Sequence, residues 1–294
     1  MSVVFSLNFK KPKIVKLGAS FSSDNGLFFK GDNGCAVILV HGLTGTPHEM
    51  KFLAAFLNKK GYSVICPRLA NHGKPLDVLK NTEWQDFYKS VREAFIEARN
   101  NYSVIFAAGL SMGALLVLLL AEEFQNSIMG VSCLSPTLFY DGWNTPWCKY
   151  LLPFVYATPL KYYFYFKEDS PYGIKNEALQ RLIHRYYKDA SLNSMKNVEQ
   201  RGYPFFPVAL LYQLELLVKY ISKRLHNIHI PVQLIQAKYD DMTSVKNSQF
   251  IYDRIKSDKK ELILLDNSYH LIIADQERDK VAQKVEEFFG RMRQ

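Results

Sequence analysis

The chain has 294 residues, of which 48% are hydrophobic and 22% charged, the composition of an ordinary globular enzyme. No Gly/Ser linker, low-complexity tract or internal repeat divides it, so we predict one core domain with at most an insertion. Its net charge is +9, but the sequence contains neither the Cys and His spacing of a zinc finger nor a basic helix with heptads. We therefore expect no nucleic-acid partner. The charge predicts a solvated basic surface, and the alternatives are an acidic partner, an anionic membrane surface or an anionic substrate.

The four cysteines have no metal-ligand spacing, so no metal site is expected. No other cofactor is predicted. Residues 1–13 contain no long apolar segment before a small-residue cleavage site, as a signal peptide would. Reduced thiols without an export signal predict a cytoplasmic protein. No feature of the sequence indicates an oligomeric state.

Short apolar runs alternate with helical patterns in the first part of the chain. Residues 36–40 form an apolar run rich in β-branched side chains, which predicts a strand buried on both faces of a parallel sheet. After a loop over 41–46, Pro47 favours the first turn of a helix that runs to about Lys60 and is closed by Gly61. Residues 62–66 are the next predicted strand.

The same alternation continues toward the middle of the chain. Thr82 and Gln85 have the spacing of a capping box, which predicts a helix beginning there. Residues 103–108 and 128–134 are predicted strands. The stretch 104–121 is apolar enough to resemble a membrane span, but glycines and a change from strand to helical period interrupt it. We predict no transmembrane segment.

The alternation resumes in the last quarter of the chain, with predicted strands at 231–237 and 261–265 and predicted helices at 244–256 and 278–289. Strands separated by such helices predict the α/β class, with a mostly parallel central sheet flanked by helices. Residues 1–35 show a weaker pattern, compatible with antiparallel edge strands.

Residues 137–229 show no second parallel-sheet pattern and are too long for an ordinary connection. We predict a core of residues 1–136 and 230–294, with 137–229 as a mainly helical cap inserted before the strand at 231–237. Aromatic residues interleaved with basic ones fill its first part, either as an acyl pocket or as the cap's own core. They are Trp143, Trp147, Tyr150, Phe154, Tyr156, Tyr162, Tyr163, Phe164, Tyr165 and Phe166.

The motif Gly109-Leu110-Ser111-Met112-Gly113 lies directly between a predicted strand and a predicted helix. A serine on such a sharp turn stands above the sheet, and the flanking glycines let strand and helix approach closely. The positive end of the helix dipole lies nearby. We therefore predict that Ser111 is a nucleophile, which requires a base to remove its proton.

The predicted base and acid follow in the chain order Ser, acid, His. His270 comes shortly after the strand at 261–265 and is the predicted base. Asp240 and Asp241 both follow the strand at 231–237, at the same edge of the sheet. We favour Asp240 as the acid that fixes the imidazole tautomer, and Asp241 is the alternative.

Two backbone N–H groups complete the predicted site as an oxyanion hole. One belongs to Met112, the residue after the nucleophile, and the other to Leu43, in the loop after the first strand. Glycines in that loop bring its backbone close to a substrate carbonyl. His41 is predicted to orient the loop, and His72 to lie near the site.

These elements resemble the α/β-hydrolase superfamily, and within it the bacterial carboxylesterase and monoacylglycerol lipase group. The resemblance implies hydrolysis of short- to medium-chain carboxylic esters without a metal, beneath an inserted cap. Two positions depart from the group's usual pattern: Tyr269 replaces a glycine before the histidine, and Asn71 replaces the first glycine of Gly-His-Gly. The resemblance is carried by His41-Gly42-Leu43-Thr44-Gly45, Gly109-Leu110-Ser111-Met112-Gly113, Asp240 and His270.

The sequence therefore predicts a serine hydrolase that cleaves small-molecule or lipid-like carboxylic esters with an apolar acyl group through an acyl-enzyme. Alternatives are a peptidase or amidase, and a catalytically silent binding protein, against which the complete Ser, Asp and His set argues. A further alternative is a thioesterase or esterase acting on chains held by an acidic acyl carrier protein. Basic residues of the insertion suggest it: Lys149, Lys161, Lys167, Lys175, Arg181 and Arg185.

Overall fold

The computed structural model describes residues 26–188, 198 and 202–293, so the predictions for residues 1–25 lie outside it. The strands are β1 (Gly26–Phe29), β2 (Cys35–Val40), β3 (Ser63–Pro67), β4 (Val104–Leu110), β5 (Gly130–Leu134), β6 (Tyr165–Lys167), β7 (Phe205–Pro207), β8 (Val232–Ala237) and β9 (Lys260–Leu265). The α-helices are α1 (Lys51–Lys59), α2 (Leu76–Leu79), α3 (Trp84–Arg99), α4 (Met112–Glu123), α5 (Leu152–Tyr156), α6 (Glu177–Tyr187), α7 (Val208–Ser222), α8 (Lys246–Arg254) and α9 (Arg278–Arg293).

Seven of these strands form one sheet in the order β1-β3-β2-β4-β5-β8-β9. All neighbours are parallel except β1, which runs antiparallel to β3 at the edge. The predicted mostly parallel sheet is confirmed, and an antiparallel edge strand lies within residues 1–35 as expected. A separate pair, β6 and β7, is antiparallel and was not predicted.

Helices cover both faces of the sheet, because successive side chains of each strand point to opposite sides. In β2, Ala36, Ile38 and Val40 belong to one buried cluster with α3, α4 and α7. The alternate residues of β2 belong to a second cluster with α1 and α9. Every residue of β2 is buried, which explains its continuous apolar sequence.

The helix predicted to begin at the Thr82 capping box begins at Trp84 instead. Glu83 is the N-cap residue, and its N–H donates to Asp86 Oδ2 over 3.3 Å. The Thr82 hydroxyl is engaged elsewhere, since it accepts from Asn71 Nδ2 at 2.9 Å. The capping box therefore begins one residue later than predicted. Its acceptor is the carboxylate of Asp86, and the helix dipole stabilises negative charge at a helix N-terminus.

The apolar stretch 104–121 is divided between β4, the Ser111 turn and α4. Among the described residues, no helix combines the length and the apolar character needed to cross a bilayer. The parallel arrangement brings the ends of β2, β4, β8 and β9 to one edge of the sheet. The predicted site residues follow these four strands.

Candidate active site

Ser111 occupies a strained turn between β4 and α4. Its φ of 56° and ψ of −118° lie outside the usual regions for an L-residue. The turn is tight because a Cβ on Gly109 would lie 2.1 Å from the Gly113 carbonyl oxygen, and one on Gly113 would lie 2.3 Å from the Val40 oxygen. Only glycine fits at both positions, so the motif's spacing follows from packing. The Ser111 hydroxyl forms a 2.9 Å hydrogen bond with Thr137 Oγ1.

The structure brings His270 and Asp240 together behind this turn. His270 Nδ1 lies 2.9 Å from Asp240 Oδ2, and both side chains are almost completely buried. Asp240 also accepts from the backbone N–H groups of Met242 and Thr243 and from Gln236 Nε2. A carboxylate held by this many donors is rigid, so it fixes the imidazole with Nδ1–H as donor.

Burial alone lowers the pKa of His270, but the negative charge and hydrogen bond of Asp240 outweigh it, so the pKa is raised. Asp241 and Glu49 contribute in the same direction. An imidazole whose pKa is raised by a buried carboxylate is a stronger base, which is the property required for deprotonating a hydroxyl.

Asp241 has a different position from Asp240. Its Oδ1 accepts from the backbone N–H of His270 at 3.3 Å, and its Oδ2 from the N–H of Gly173 at 3.2 Å. It therefore joins the histidine loop to residue 173 of the predicted cap and contacts the backbone rather than the imidazole. Burial raises its pKa, although the charge of His270 opposes this shift.

The loop of residues 41–45, called the oxyanion loop below, is held in place by a histidine whose tautomer is defined. The Leu69 N–H donates to His41 Nε2 at 3.3 Å, so the ring hydrogen is on Nδ1, which donates to the Gly42 carbonyl at 2.9 Å. That carbonyl and the Leu43 N–H belong to the same peptide plane. His41 thereby sets the direction of the predicted oxyanion donor. Burial keeps its pKa well below the usual value, so the ring is neutral.

His72 supports the next peptide of this loop. Its Nε2 lies 2.8 Å from the Leu43 carbonyl oxygen, to which it donates. Burial lowers the pKa of His72 to about 4, so it stays neutral near pH 7. In the described part of the chain, no acceptor pairs with the N–H of Leu43 or of Met112. These two N–H groups are the predicted oxyanion donors.

Glu49 is a site residue that the sequence analysis missed. Its Oε2 accepts from the Gly42 N–H at 2.8 Å and would lie 2.4 Å from a Cβ on Gly45. The carboxyl group thus fills the concave side of the oxyanion loop. A signal was available, because Glu49 lies in the first helical turn after this loop, where side chains point back toward the N-terminus.

We expect Glu49→Leu to lower kcat, because the buried Gly42 N–H loses its acceptor, a loss worth about 1–3 kcal/mol. The decrease should approach the roughly 100-fold typical of losing one oxyanion donor. Glu49→Gln keeps an acceptor oxygen and should retain most of the activity. Steady-state kinetics on a p-nitrophenyl ester, with thermal unfolding of both variants, checks this; equal activity of the two variants would contradict it.

A cavity of about 80 Å³ lies over the site. Its lining includes Ser111, His270 and the 42–45 loop, together with Glu168 and Phe206. Burial and the charges of Glu49 and Asp241 raise the pKa of Glu168 to about 8. The predicted nucleophile and base therefore open onto one narrow cavity.

A family model described as serine aminopeptidase, S33, matches residues 32–277. The chain belongs to this family. A thermostable monoacylglycerol lipase from Bacillus sp. strain H-257 is 30% identical over 266 residues, covering 90% of this chain and 94% of that protein. A carboxylesterase from Bacillus subtilis strain 168 is 28% identical over 268 residues, covering 90% and 95%. This family member is a serine ester hydrolase of the lipase and esterase type.

Solved structures support the α/β-hydrolase fold of this family member. One, from work on the metagenome-derived lipolytic enzymes LipS and LipT, has a TM-score of 0.74 at 24% identity, covering 90% of this chain and 96% of its own. The monoacylglycerol lipase of Paleococcus ferrophilus has a TM-score of 0.72 at 20% identity, covering 90% and 98%.

Proposed function

We propose that this chain hydrolyses carboxylic esters with an apolar acyl group, with Ser111 as nucleophile, His270 as base and Asp240 as the acid that orients it. The observation that carries the proposal is one arrangement: a strained serine and a histidine bonded to a buried carboxylate line the same cavity. A serine and a histidine oriented by a carboxylate on one cavity are the groups that an activated serine nucleophile requires.

In the proposed reaction, His270 Nε2 takes the Ser111 proton as Oγ attacks the ester carbonyl carbon. The resulting imidazolium is stabilised by Asp240. The N–H groups of Leu43 and Met112 hold the oxyanion, and its collapse expels the alcohol, which takes the proton from His270. Water, deprotonated by His270, then attacks the acyl carbon of the acyl-enzyme. Collapse of this second intermediate breaks the bond to Ser111 Oγ, which takes the proton back from His270, and the acid is released. The neutral His41 and His72 keep the oxyanion loop fixed throughout without adding charge.

The cavity favours an apolar acyl group of limited length. Its lining includes the apolar residues Leu43, Leu110, Met242 and Leu271 beside the acidic residues Glu49 and Glu168. Its volume of about 80 Å³ is well below the roughly 300 Å³ at which ordinary ligand pockets begin. We therefore propose a preference for short acyl chains, with longer chains requiring movement of the wall.

We also propose residues 137–229 as a cap over the core of 1–136 and 230–294. Its support is that Tyr140, Glu168, Tyr187 and Phe206 contribute to the same cavity as Ser111.

The four cysteines are free, which supports a cytoplasmic location.

A substrate panel tests the proposed function. Purified protein is assayed with p-nitrophenyl acetate, butyrate, octanoate and laurate, with a butyryl thioester in free and carrier-bound form, and with an aminoacyl p-nitroanilide. We expect the highest kcat/KM on acetate or butyrate and a steady decrease to laurate. The anilide is included because the family description names an aminopeptidase.

Other outcomes would select another function. A higher kcat/KM on the anilide would indicate an amidase, and a salt-sensitive preference for the carrier-bound thioester would indicate the acyl-carrier alternative. Absence of both turnover and labelling by a fluorophosphonate probe would indicate a silent binding protein, because the probe reacts only with an activated serine.

A further inference from the structure

The Ser111 hydroxyl has a hydrogen-bond partner other than the base proposed to deprotonate it. Ser111 Oγ lies 2.9 Å from Thr137 Oγ1. Thr137 Oγ1 also lies 3.4 Å from the carbonyl oxygen of Ser135, to which it donates. A carbonyl oxygen accepts and cannot donate, so the Thr137 hydrogen is directed at it and a Thr137 lone pair is left for Ser111. The hydrogen of the Ser111 hydroxyl is therefore directed at Thr137.

The hydrogen bonds of the His270 ring lie on the side opposite to the serine. Its Nδ1 is 2.9 Å from Asp240 Oδ2 and 3.3 Å from Thr243 Oγ1. In the part of the chain that the structure describes, no hydrogen bond joins Ser111 to His270. A serine hydroxyl has one hydrogen, so Thr137 Oγ1 and His270 Nε2 are competing acceptors for it.

Thr137 is held firmly in this position. Its side chain is almost completely buried, with 1% exposure. The N–H groups of the next two residues, Leu138 and Phe139, both donate to Asn247 Oδ1, over 2.8 Å and 2.6 Å. On the other side, Thr137 bonds to the Ser135 carbonyl. The contact with Ser111 is therefore made by a fixed side chain.

The turn that precedes Thr137 is energetically unfavourable. Ser135 has a φ of 45°, in the left-handed region that favours glycine. Its buried hydroxyl has no hydrogen-bond partner among the described residues. Strained backbone and unpaired buried polar groups concentrate at functional sites. This turn follows β5, whose last carbonyl, that of Leu134, accepts from the Ser111 N–H at 2.9 Å.

We propose that Thr137 is a positioning residue that holds the Ser111 hydroxyl in a resting orientation, directed away from His270, until an ester occupies the cavity. This inference rests on the proposed roles of Ser111 and His270. Rotation about the serine Cα–Cβ bond, from one staggered position to another, transfers the hydrogen bond from Thr137 Oγ1 to His270 Nε2. In the empty enzyme the serine is then a weak nucleophile, because its hydroxyl is not bonded to the base.

The reactivity of the serine is the first test. Thr137→Val keeps the shape of the side chain and removes the acceptor. The rate of labelling by a fluorophosphonate probe and kcat/KM on p-nitrophenyl acetate should then rise about fivefold, the factor that corresponds to one net hydrogen bond. Thr137→Ser restores the acceptor and should reverse the increase.

Thr82→Val is the matched control for this test. Thr82 is also buried, and its hydroxyl has contacts of the same two lengths, 2.9 Å to Asn71 Nδ2 and 3.4 Å to the Val78 carbonyl. It should lower thermal stability about as much as Thr137→Val while labelling at the wild-type rate. An effect of Thr137→Val on labelling is then separated from a general effect of losing a buried hydroxyl.

The titration of His270, followed by NMR in the full chain without substrate, is the second test. Its signal is identified by its absence from His270→Gln. A hydroxyl that donates to Nε2 stabilises the neutral ring and lowers its pKa. Ser111→Ala should therefore leave the wild-type titration unchanged. Thr137→Val should move it to lower pH, and Ser111→Ala added to Thr137→Val should restore it.

The acidic groups that face His270 are the same in all these variants: Asp240, Asp241, Glu49 and Glu168. A purely structural role of Thr137 would not make the effect of Ser111→Ala on this titration depend on residue 137.

Three outcomes would overturn the resting orientation: labelling of Thr137→Val no faster than that of the wild type, Thr137→Ser behaving like Thr137→Val, or a shift of the His270 titration caused by Ser111→Ala alone. Failure of the proposed hydrolysis is distinguishable, because it appears as a wild type that neither cleaves esters nor is labelled. The titration needs no turnover, so it decides the resting orientation in that case as well.

Discussion

Ser111→Ala is expected to lower kcat on a p-nitrophenyl ester by about a millionfold, the size of loss found when the nucleophile of a serine hydrolase triad is removed. The reason is chemical, because no other described hydroxyl occupies the strained turn between β4 and α4. Alanine has the same Cβ as serine, so the strain of the turn is unchanged. The Thr137 hydroxyl keeps its contact with the Ser135 carbonyl. Thermal unfolding of the variant should therefore stay close to that of the wild type.

Ser90→Ala is the matched control, because Ser90 is a serine on α3 whose hydroxyl donates only to the Asp86 carbonyl. It should retain full activity. A fluorophosphonate probe should label the wild type and the control at Ser111 and should not label Ser111→Ala. Retention of wild-type turnover by Ser111→Ala, or labelling at another serine, would remove Ser111 from the mechanism.

The parallel sheet was predictable because both of its faces are covered. A strand such as β2 is then apolar at every position, and its sequence is distinct from a helical or alternating pattern. The site followed from the sheet, because residues after parallel strands meet at one edge. This is why Ser111 and His270, 159 positions apart in sequence, were predicted to lie together.

The cap was less predictable for a physical reason. Its 3₁₀ turns and the three-residue strands β6 and β7 are too short for any hydrophobic period to appear in the sequence. Its aromatic residues fit either a buried pocket or a core, yet the structure leaves many of them exposed. Glu168 was missed similarly, because only folding places it in the cavity over Ser111.

The second large expected effect separates the activities of two variants, Asp240→Asn and Asp241→Asn. The two carboxyl groups are adjacent in sequence but have different contacts. Asp240→Asn should lower kcat by about 10⁴-fold, because an amide at this position favours the wrong imidazole tautomer. Asp241→Asn should act mainly on KM and on thermal stability. One of its two N–H donors, from His270 or Gly173, would face the new amide N–H₂ group.

The pH dependence separates the two roles further. His270 must be neutral to act as a base, so kcat/KM rises with pH through its pKa, which is raised chiefly by Asp240 despite burial. Removing the Asp240 charge lowers that pKa, so the acid limb of the profile should move to lower pH. Asp241→Asn should move it in the same direction but less, because Asp240 adds a hydrogen bond to its charge. A larger loss of kcat and a larger shift in Asp241→Asn would make Asp241 the triad acid.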